Sequence, residues 1–350
     1  MIRVAIADDS RFTCGVVASY LQEGGECQVV GFAHDAAATL DIVRREEPHV
    51  LTLDLQMPGG DGLDLLRQIA AESRTAVVVV SGVTRSAAAT TLRALELGAV
   101  DFVLKYTPGA PVSRASLRRE IVSKVKVAAA SRAAFRPIAA PSSFDLPAAR
   151  PLARAVPRPA AALSEGGLVV IGASTGGPGA IAELMAELPE DFSKPCVIVQ
   201  HLPAMFTAPF AAQLGRQARI PVAEAVSGDR LEGGRAYVTP GSSHIVIGAD
   251  GGIELAPPLE SDLYRPSIDR AMTSAAKAFG SSAVAVILTG MGDDGAEGAK
   301  AIRCAGGEAY VQEPASCVIA SMPMRTLERA GADHVARPRQ IGRLLARVQS

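Results

Sequence analysis

Two groups of polar residues in this sequence have the types and spacing to do chemistry. In the first, Asp8 and Asp9 follow the short apolar run Ile2–Ala7 and Asp54 ends Leu51-Thr52-Leu53. Ser81 follows Val77–Val80, and Lys105 closes Asp101-Phe102-Val103-Leu104. Three carboxylates brought together repel unless a cation sits among them, and their hard oxygens suit Mg2+. A carboxylate can also attack phosphorus and form an aspartyl-phosphate. Lys105 would then pair with the phosphoryl oxygens, and Ser81 would hydrogen-bond one of them.

The second group starts at a serine. Leu168–Ile171 runs into Gly172-Ala173-Ser174-Thr175-Gly176-Gly177-Pro178, which reads as a strand, a glycine turn and a helix start. Two chemistries suit such a turn. Gly177-x-Gly179-x-x-Ala182 fits a loose dinucleotide fingerprint, although it begins about five residues past the strand and contains Pro178. Alternatively Ser174 is a nucleophile, with helix-start N–H groups facing an oxyanion. The plainer role for such a serine is an N-cap. A nucleophilic serine needs a base. Of the five histidines, His201 directly follows Cys196–Gln200 and so shares the strand-end position of Ser174, whereas His244 precedes a strand. Ala285–Leu288 leads to Gly290-Met291-Gly292-Asp293-Asp294, two acids past another apolar run. A buried carboxylate there would orient the imidazole. Ser174, His201 and Asp294 are therefore expected to meet at one sheet edge.

The elements that must position these residues follow from the patterning. In the N-terminal part, strands are expected at Ile2–Ala7, Gln28–Ala33, His49–Leu53, Ala76–Val80 and Val100–Leu104. Helices are expected near 11–23, 36–47, 62–72, 86–97 and 113–127. Continuous apolar strands alternating with helices mean a parallel sheet covered on both faces, with ligands outside the carboxyl ends of the strands. The C-terminal part is also α/β. Its expected strands are Gly167–Gly172, Pro195–Gln200, Ala236–Thr239, His244–Ile247 and Ser282–Leu288. Helices fall near 178–188, 206–218, 267–279, 295–305 and 338–348, and Gly and Pro in 220–260 suggest antiparallel excursions.

Between the two parts, residues 128–164 hold 14 Ala, six Pro and no Gly in 37 residues, with five Arg against one acid. Proline removes backbone donors and breaks helices, so this stretch reads as a semi-extended linker. It carries a charge of +4 between parts of −1 and −4, a basic tether between two acidic domains.

The whole chain suits a folded two-domain protein. Its 350 residues are 48% hydrophobic and 20% charged, which excludes wholesale disorder. With 35 basic against 36 acidic residues, a chain built to coat nucleic acid is disfavoured. No apolar run approaches the ~18 residues of a spanning helix, and the N-terminus does not read as a signal peptide. Five cysteines without a C-x-x-C pair suit reduced thiols and a cytoplasmic location.

In their order along the chain, Asp8-Asp9, Asp54-x-x-Met57-Pro58-x-x-Asp61-Gly62, Ser81 and Lys105 resemble the receiver domain of bacterial response regulators. The resemblance implies that Asp54 accepts phosphate from a histidine kinase. It also implies that Asp8 and Asp9, with Asp54, hold Mg2+, and that Ser81, Phe102 and Lys105 take part in the switch. Tyr106 stands where most receivers have proline, and Gly60 where an apolar residue is usual. The second part resembles the CheB methylesterase family in Gly172–Gly177, Gln200-His201-Leu202-Pro203, Arg265-Pro266-Ser267-x-Asp269, Leu288–Gly295 and Ala315-Ser316-Cys317-Val318. Asp293 departs from the asparagine usual in that family.

This second resemblance implies a Ser174 nucleophile, a His201 base and an orienting Asp294, with backbone N–H groups near Thr175 and Met291 holding the oxyanion. The fold it implies is α/β throughout: a flavodoxin-like, doubly wound, five-stranded parallel receiver over 1–127, the linker, and a mostly parallel-sheet esterase over 165–350. The function expected is phosphorylation-controlled hydrolysis of glutamate methyl esters, with glutamine deamidation by the same chemistry. The expected substrates are cytoplasmic helices of chemoreceptors. No cofactor is expected for the esterase chemistry, and neither nucleic acid nor membrane insertion is expected. A transcriptional regulator, a catalytically silent binding module and a nucleotide-binding enzyme are the competing classes. A basic recognition helix, an unreactive Ser174 and tight NAD binding would mark them respectively.

Overall fold

The computed structural model describes residues 1–105, 114–131 and 167–347. It divides into two compact units, Met1–Phe144 and Asp145–Ser350. Tyr106 and residues 132–164 of the expected linker lie outside the described residues.

The first unit alternates strands and helices: β1 (Ile2–Ala7), α1 (Arg11–Gln22), β2 (Cys27–Ala33), α2 (Ala36–Glu46), β3 (Val50–Leu53), α3 (Gly62–Glu72), β4 (Ala76–Ser81), α4 (Arg85–Glu96), β5 (Asp101–Leu104) and α5 (Arg114–Ser131). All five strands are parallel, in the order β2-β1-β3-β4-β5. Every residue of β3 and β4 is buried. That is why these strands read as unbroken apolar runs. The chain starts mid-sheet, steps to β2 and crosses back to β3. The strand order therefore reverses between β1 and β3, and the crevice at their carboxyl ends is the natural ligand site. Asp8 and Asp9 leave β1 there, and Asp54 leaves β3.

Local signals set the helix starts. Ser10, Asp35, Asp61 and Thr84 each accept a backbone N–H of the helix that follows. Asp61 thus serves as the cap of α3. At the other end of the unit, α5 buries Leu117, Ile121, Val125 and Ala128. This stripe keeps helical spacing beyond Val127. The helix runs on to Ser131, so residues 128–131, which composition placed in the linker, are its last turn.

The second unit contains β6 (Leu168–Ala173), α6 (Gly177–Met185), β7 (Cys196–Gln200), α7 (Ala204–Gln217), β8 (Val222–Glu224), β9 (Ala236–Val238), β10 (His244–Ile247), β11 (Ile253–Ala256), α8 (Ile268–Phe279), β12 (Ala283–Ile287), α9 (Ala296–Cys304), β13 (Glu308–Gln312), α10 (Ser321–Arg329), β14 (His334–Ala336) and α11 (Pro338–Arg347). Seven strands form one parallel sheet in the order β14-β13-β12-β6-β7-β9-β8. The hairpin β10–β11 is antiparallel and forms a sheet of its own. It is the excursion expected between 220 and 260. β8, in the same stretch, instead joins the main sheet in parallel. β8, β11, β13, β14 and α10 add to the elements expected from the pattern; β8 and β14 are only three residues long, too short to show a period.

The order of the second sheet reverses at β6, which has β7 on one side and β12 on the other. Ser174 leaves β6, His201 leaves β7, and the segment after β12 carries Asp294. Helix α8 packs across this centre. A Cβ on Gly172 would lie 2.4 Å from Ile268 Cγ2 and 3.0 Å from its Cδ1. Ile268 is fully buried and β-branched, with little rotamer freedom to retreat. Gly172→Ala is therefore expected to push α8 off the sheet and lower stability by roughly 1–3 kcal/mol, measured by urea unfolding of the full chain.

Candidate functional site

At the reversal point of the first sheet, Asp8 is 2% exposed and Asp54 5% exposed, and Asp9 stands at the surface. One carboxylate oxygen from each of the three lies within 4.8 Å of the others. This hard-oxygen set fits a small divalent cation such as Mg2+. Lys105 reaches in from the end of β5, its Nζ 2.6 Å from Asp54 Oδ2 and 2.8 Å from Asp8 Oδ2. Burial pushes the Asp54 carboxyl above its usual range, against the pull of Lys105 and of the Gln56 amide. Burial also opposes the Lys105 ammonium, but its bonds to Asp54 and Asp8 prevail and raise it. Ser81 Oγ accepts from Thr91 Oγ1 at 2.6 Å and donates to Gly82 O at 3.2 Å. Phe102 is buried, with Lys124 Nζ 4.9 Å from its ring centroid.

In the second unit the structure joins His201 and Asp294. His201 Nε2 lies 2.8 Å from Asp294 Oδ2. The imidazole is 14% exposed at the side chain and the carboxylate 1%. With its proton on Nε2 facing the carboxylate, the ring offers Nδ1 as its basic nitrogen. Asp294 is held on its far side by the start of α8. The amide of Ile268 donates to Oδ2 at 2.7 Å, and the amide of Asp269 and the hydroxyl of Ser267 donate to Oδ1 at 2.9 and 3.2 Å. Burial opposes charge on Asp294. The hydrogen bond and charge of His201 and the two amides outweigh it and hold the carboxyl below its usual range.

The arrangement is reciprocal. Asp294 precedes α9 and caps α8, while Asp269 in the first turn of α8 caps α9. Its Oδ1 accepts from the amides of Gly295 at 2.9 Å and Gly298 at 2.7 Å. Burial, aided by the nearby charge of Asp294, pushes Asp269 up to about 6.

Ser174 is half-buried and joins the pair through the backbone. Its amide donates to Thr289 O at 3.0 Å, while Gln200 Nε2 donates to Ser174 O at 3.0 Å and to His201 O at 3.4 Å. The His201 amide donates to Ala173 O at 3.1 Å. No hydrogen bond links Ser174 Oγ to His201 in this structure. Such bonds often tighten only when substrate is bound. The loop carrying Met291 abuts the serine, since a Cβ on Gly290 would lie 2.8 Å from Ser174 Cβ. Thr175 is buried and Met291 is 45% exposed. Beside Gly176 and Gly177, a Cβ would meet Val318 at 2.6 Å and Gln200 Oε1 at 2.0 Å. Beside Gly179, the next glycine of the loose dinucleotide fingerprint, nothing lies within 4 Å of such a Cβ.

Sequence reasoning missed Tyr264 at this site and left the partners of Asp293 open. Tyr264 stacks on the His201 ring, with centroids 5.2 Å apart and planes 10° from parallel. Asp293 turns away from Asp294: it accepts from Tyr264 OH at 3.0 Å and pairs with Arg329 at 2.9 Å. The signal for Tyr264 was its place beside Arg265-Pro266-Ser267, just ahead of α8. His244 is fully buried. Its Nε2 meets Asp262 Oδ2 at 2.8 Å and its Nδ1 accepts the Ser267 amide at 3.0 Å, so it supports the start of α8 from behind.

Comparison with known proteins agrees with this geometry. Residues 169–345 match the CheB methylesterase family model, and residues 4–121 match the response regulator receiver domain. The chain is 38% identical over 344 residues to protein-glutamate methylesterase/protein-glutamine glutaminase 2 of Koribacter versatilis, covering 95% of this chain and 92% of that one. It is also 38% identical to the protein-glutamate methylesterase/protein-glutamine glutaminase of Salmonella typhimurium, over all of this chain and 97% of that one. The crystal structure of the Thermotoga maritima CheB methylesterase catalytic domain superposes with a TM-score of 0.51 at 35% identity, covering 53% of this chain and 99% of that domain. Among the described residues, no helix is long and apolar enough to cross a membrane.

Two outcomes follow from the charges. Because Asp54 is raised on folding, its ionised form opposes the folded state at neutral pH, and the strain eases as the pH falls through its folded value. Asp54→Asn should raise the urea midpoint of the first unit, and Mg2+ should stabilise only the unsubstituted protein. Asp294 has the opposite sign. Its contribution is present above its unfolded value and is lost as the pH falls through the depressed folded one. Asp294→Asn should cost about 3 kcal/mol at pH 7, and the gap should close as the pH drops below about 4. Urea titrations at several pH values measure both.

Proposed function

The chain belongs to the CheB methylesterase family, with a response regulator receiver domain ahead of the esterase domain, and from that premise we propose that it is a phosphorylation-activated protein-glutamate methylesterase. The observation that carries this reading is the His201–Asp294 hydrogen bond at the sheet edge that also holds the Ser174 turn. Its substrates are glutamate methyl esters on the cytoplasmic helices of chemoreceptors, and it acts in the cytoplasm.

Ser174 Oγ attacks the ester carbonyl as His201 Nδ1 takes the hydroxyl proton. Asp294 holds the ring through Nε2 and stabilises the imidazolium that forms. The carbonyl oxygen becomes an oxyanion held by backbone N–H groups near Thr175 and Met291; one such donor is worth about 3 kcal/mol. When the tetrahedral species collapses, the C–O bond to the methoxy group breaks and His201 returns its proton to the departing methanol. Water, deprotonated by the same nitrogen, then attacks the acyl carbonyl; the bond to Ser174 Oγ breaks, His201 returns the proton to that oxygen, and the glutamate carboxylate is restored. A glutamine side chain enters the same route and releases ammonia in place of methanol.

Control comes from the first unit. Asp54 attacks the phosphorus of a kinase phosphohistidine; the P–N bond breaks and an acyl phosphate forms. Mg2+, held by Asp8, Asp9 and Asp54, would neutralise the charge on the transferring group. Lys105 pairs with the phosphoryl oxygens. Ser81 turns from Thr91 toward them, and Phe102 reorients with it. On the family resemblance, phosphorylation of the receiver relieves inhibition of the esterase.

Ser174→Ala is expected to abolish methanol release from methylated receptors while the protein stays folded. Asp54→Asn should retain basal release and lose its response to a small-molecule phosphodonor. Methanol release from receptor-bearing membranes, with and without the phosphodonor, measures both. Unchanged release by Ser174→Ala would overturn the nucleophile assignment.

A further inference from the structure

Asp294 fixes one point of the His201 ring and leaves one freedom. A single in-plane hydrogen bond lets the imidazole pivot about the Nε2···Oδ2 axis, and that pivot decides where Nδ1 points. The stacked phenol ring closes that freedom. Tyr264 lies 10° from parallel to the imidazole at 5.2 Å. Tyr264 is itself anchored: its OH donates to Asp293 Oδ1 at 3.0 Å and accepts the Asp293 amide at 3.3 Å. Asp293 Oδ2 is in turn held by Arg329 from α10 at 2.9 Å. The fit is close, since a Cβ on Gly292 would lie 2.3 Å from Tyr264 OH; glycine there leaves the phenol its place.

From this chain of contacts we infer that Tyr264 is a positioning residue, which sets the plane of the His201 imidazole and is clamped by Asp293 and Arg329. A ring that donates its OH to a carboxylate is also electron-rich, so its face favours the imidazolium that exists between the two proton transfers. The charged and titratable groups around the imidazole are thus Asp294 in its plane, with Asp269 behind that, and Tyr264 on its face, backed by Asp293 and Arg329. Asp293 therefore acts on the base through the phenol rather than by coupling to Asp294.

The inference rests on the esterase reading, and its test separates the two. Tyr264→Leu removes the stacked face and should lower kcat by about 10²-fold, with KM little changed. Tyr264→Phe keeps the face and should recover to within about fivefold. Asp293→Ala, which frees the phenol as Tyr264→Phe does, should lower kcat by no more than the same fivefold, whereas Asp293→Asn keeps the acceptor and should not. A readout independent of turnover is the NMR spectrum of the His201 ring: sharp signals from one ring orientation in the unsubstituted protein, and shifted, exchange-broadened signals in Tyr264→Leu, with Nε2 still protonated against Asp294. A loss that falls wholly on KM, or that Phe fails to recover, would overturn the inference and make Tyr264 a substrate contact or a packing residue. An unchanged ring spectrum in Tyr264→Leu would also overturn it. If the unsubstituted protein releases no methanol, the esterase reading fails, while the NMR comparison still decides the role of Tyr264.

Discussion

One buried carboxylate organises the second unit. Asp294 lies almost wholly out of water, where an unpaired charge would be very costly. It is charged because His201 and the first amides of α8 surround it. Those amides are groups that a helix must satisfy anyway. The same carboxylate therefore starts a helix and holds an imidazole. Asp269 returns the favour to α9, so the two helix starts are locked to one another across the sheet centre. The geometry of the His201–Asp294 pair is thus part of the packing. Whatever shifts α8, from Gly172 beneath it to His244 behind it, reaches His201 through Asp294.

The first unit meets a similar electrostatic problem in another way. Its three aspartates converge at a strand-order reversal, two of them buried, and Lys105 lies between Asp8 and Asp54 as a counter-charge. Burial raises Asp54 and the surrounding bonds do not fully offset it. A group stabilised as Asp294 is stabilised holds geometry. A group left strained, as Asp54 is, leaves the folded state sensitive to its charge. The two sheets share one topology rule and put opposite electrostatics at their carboxyl ends.

Much of this was legible in the sequence. The parallel strands are buried on both faces, so they appear as unbroken apolar runs, and the polar residue that ends each run marks the site edge. Ser174, His201, Asp8, Asp54 and Lys105 were singled out that way, and Asp294 from its place a few residues past such a run. The short edge strands β8 and β14 carry too few residues for a period. The end of α5 was misplaced because alanine and proline content masked a stripe that still included Ala128. Tyr264 was missed because a half-buried loop aromatic has no pattern of its own, and its partner His201 lies 63 residues away.

The sequence by itself determined the alternation of strands and helices in the first unit, the central strands of the second, and the residue types that stand at their ends, because burial imposes its pattern locally on the chain. Only the tertiary structure decided which nitrogen of His201 faces Asp294, that Asp293 turns to Tyr264 and Arg329, and that α8 and α9 cap one another. Those are contacts between segments far apart in the chain. Their geometry depends on packing distances of a few tenths of an ångström, which residue identity does not encode.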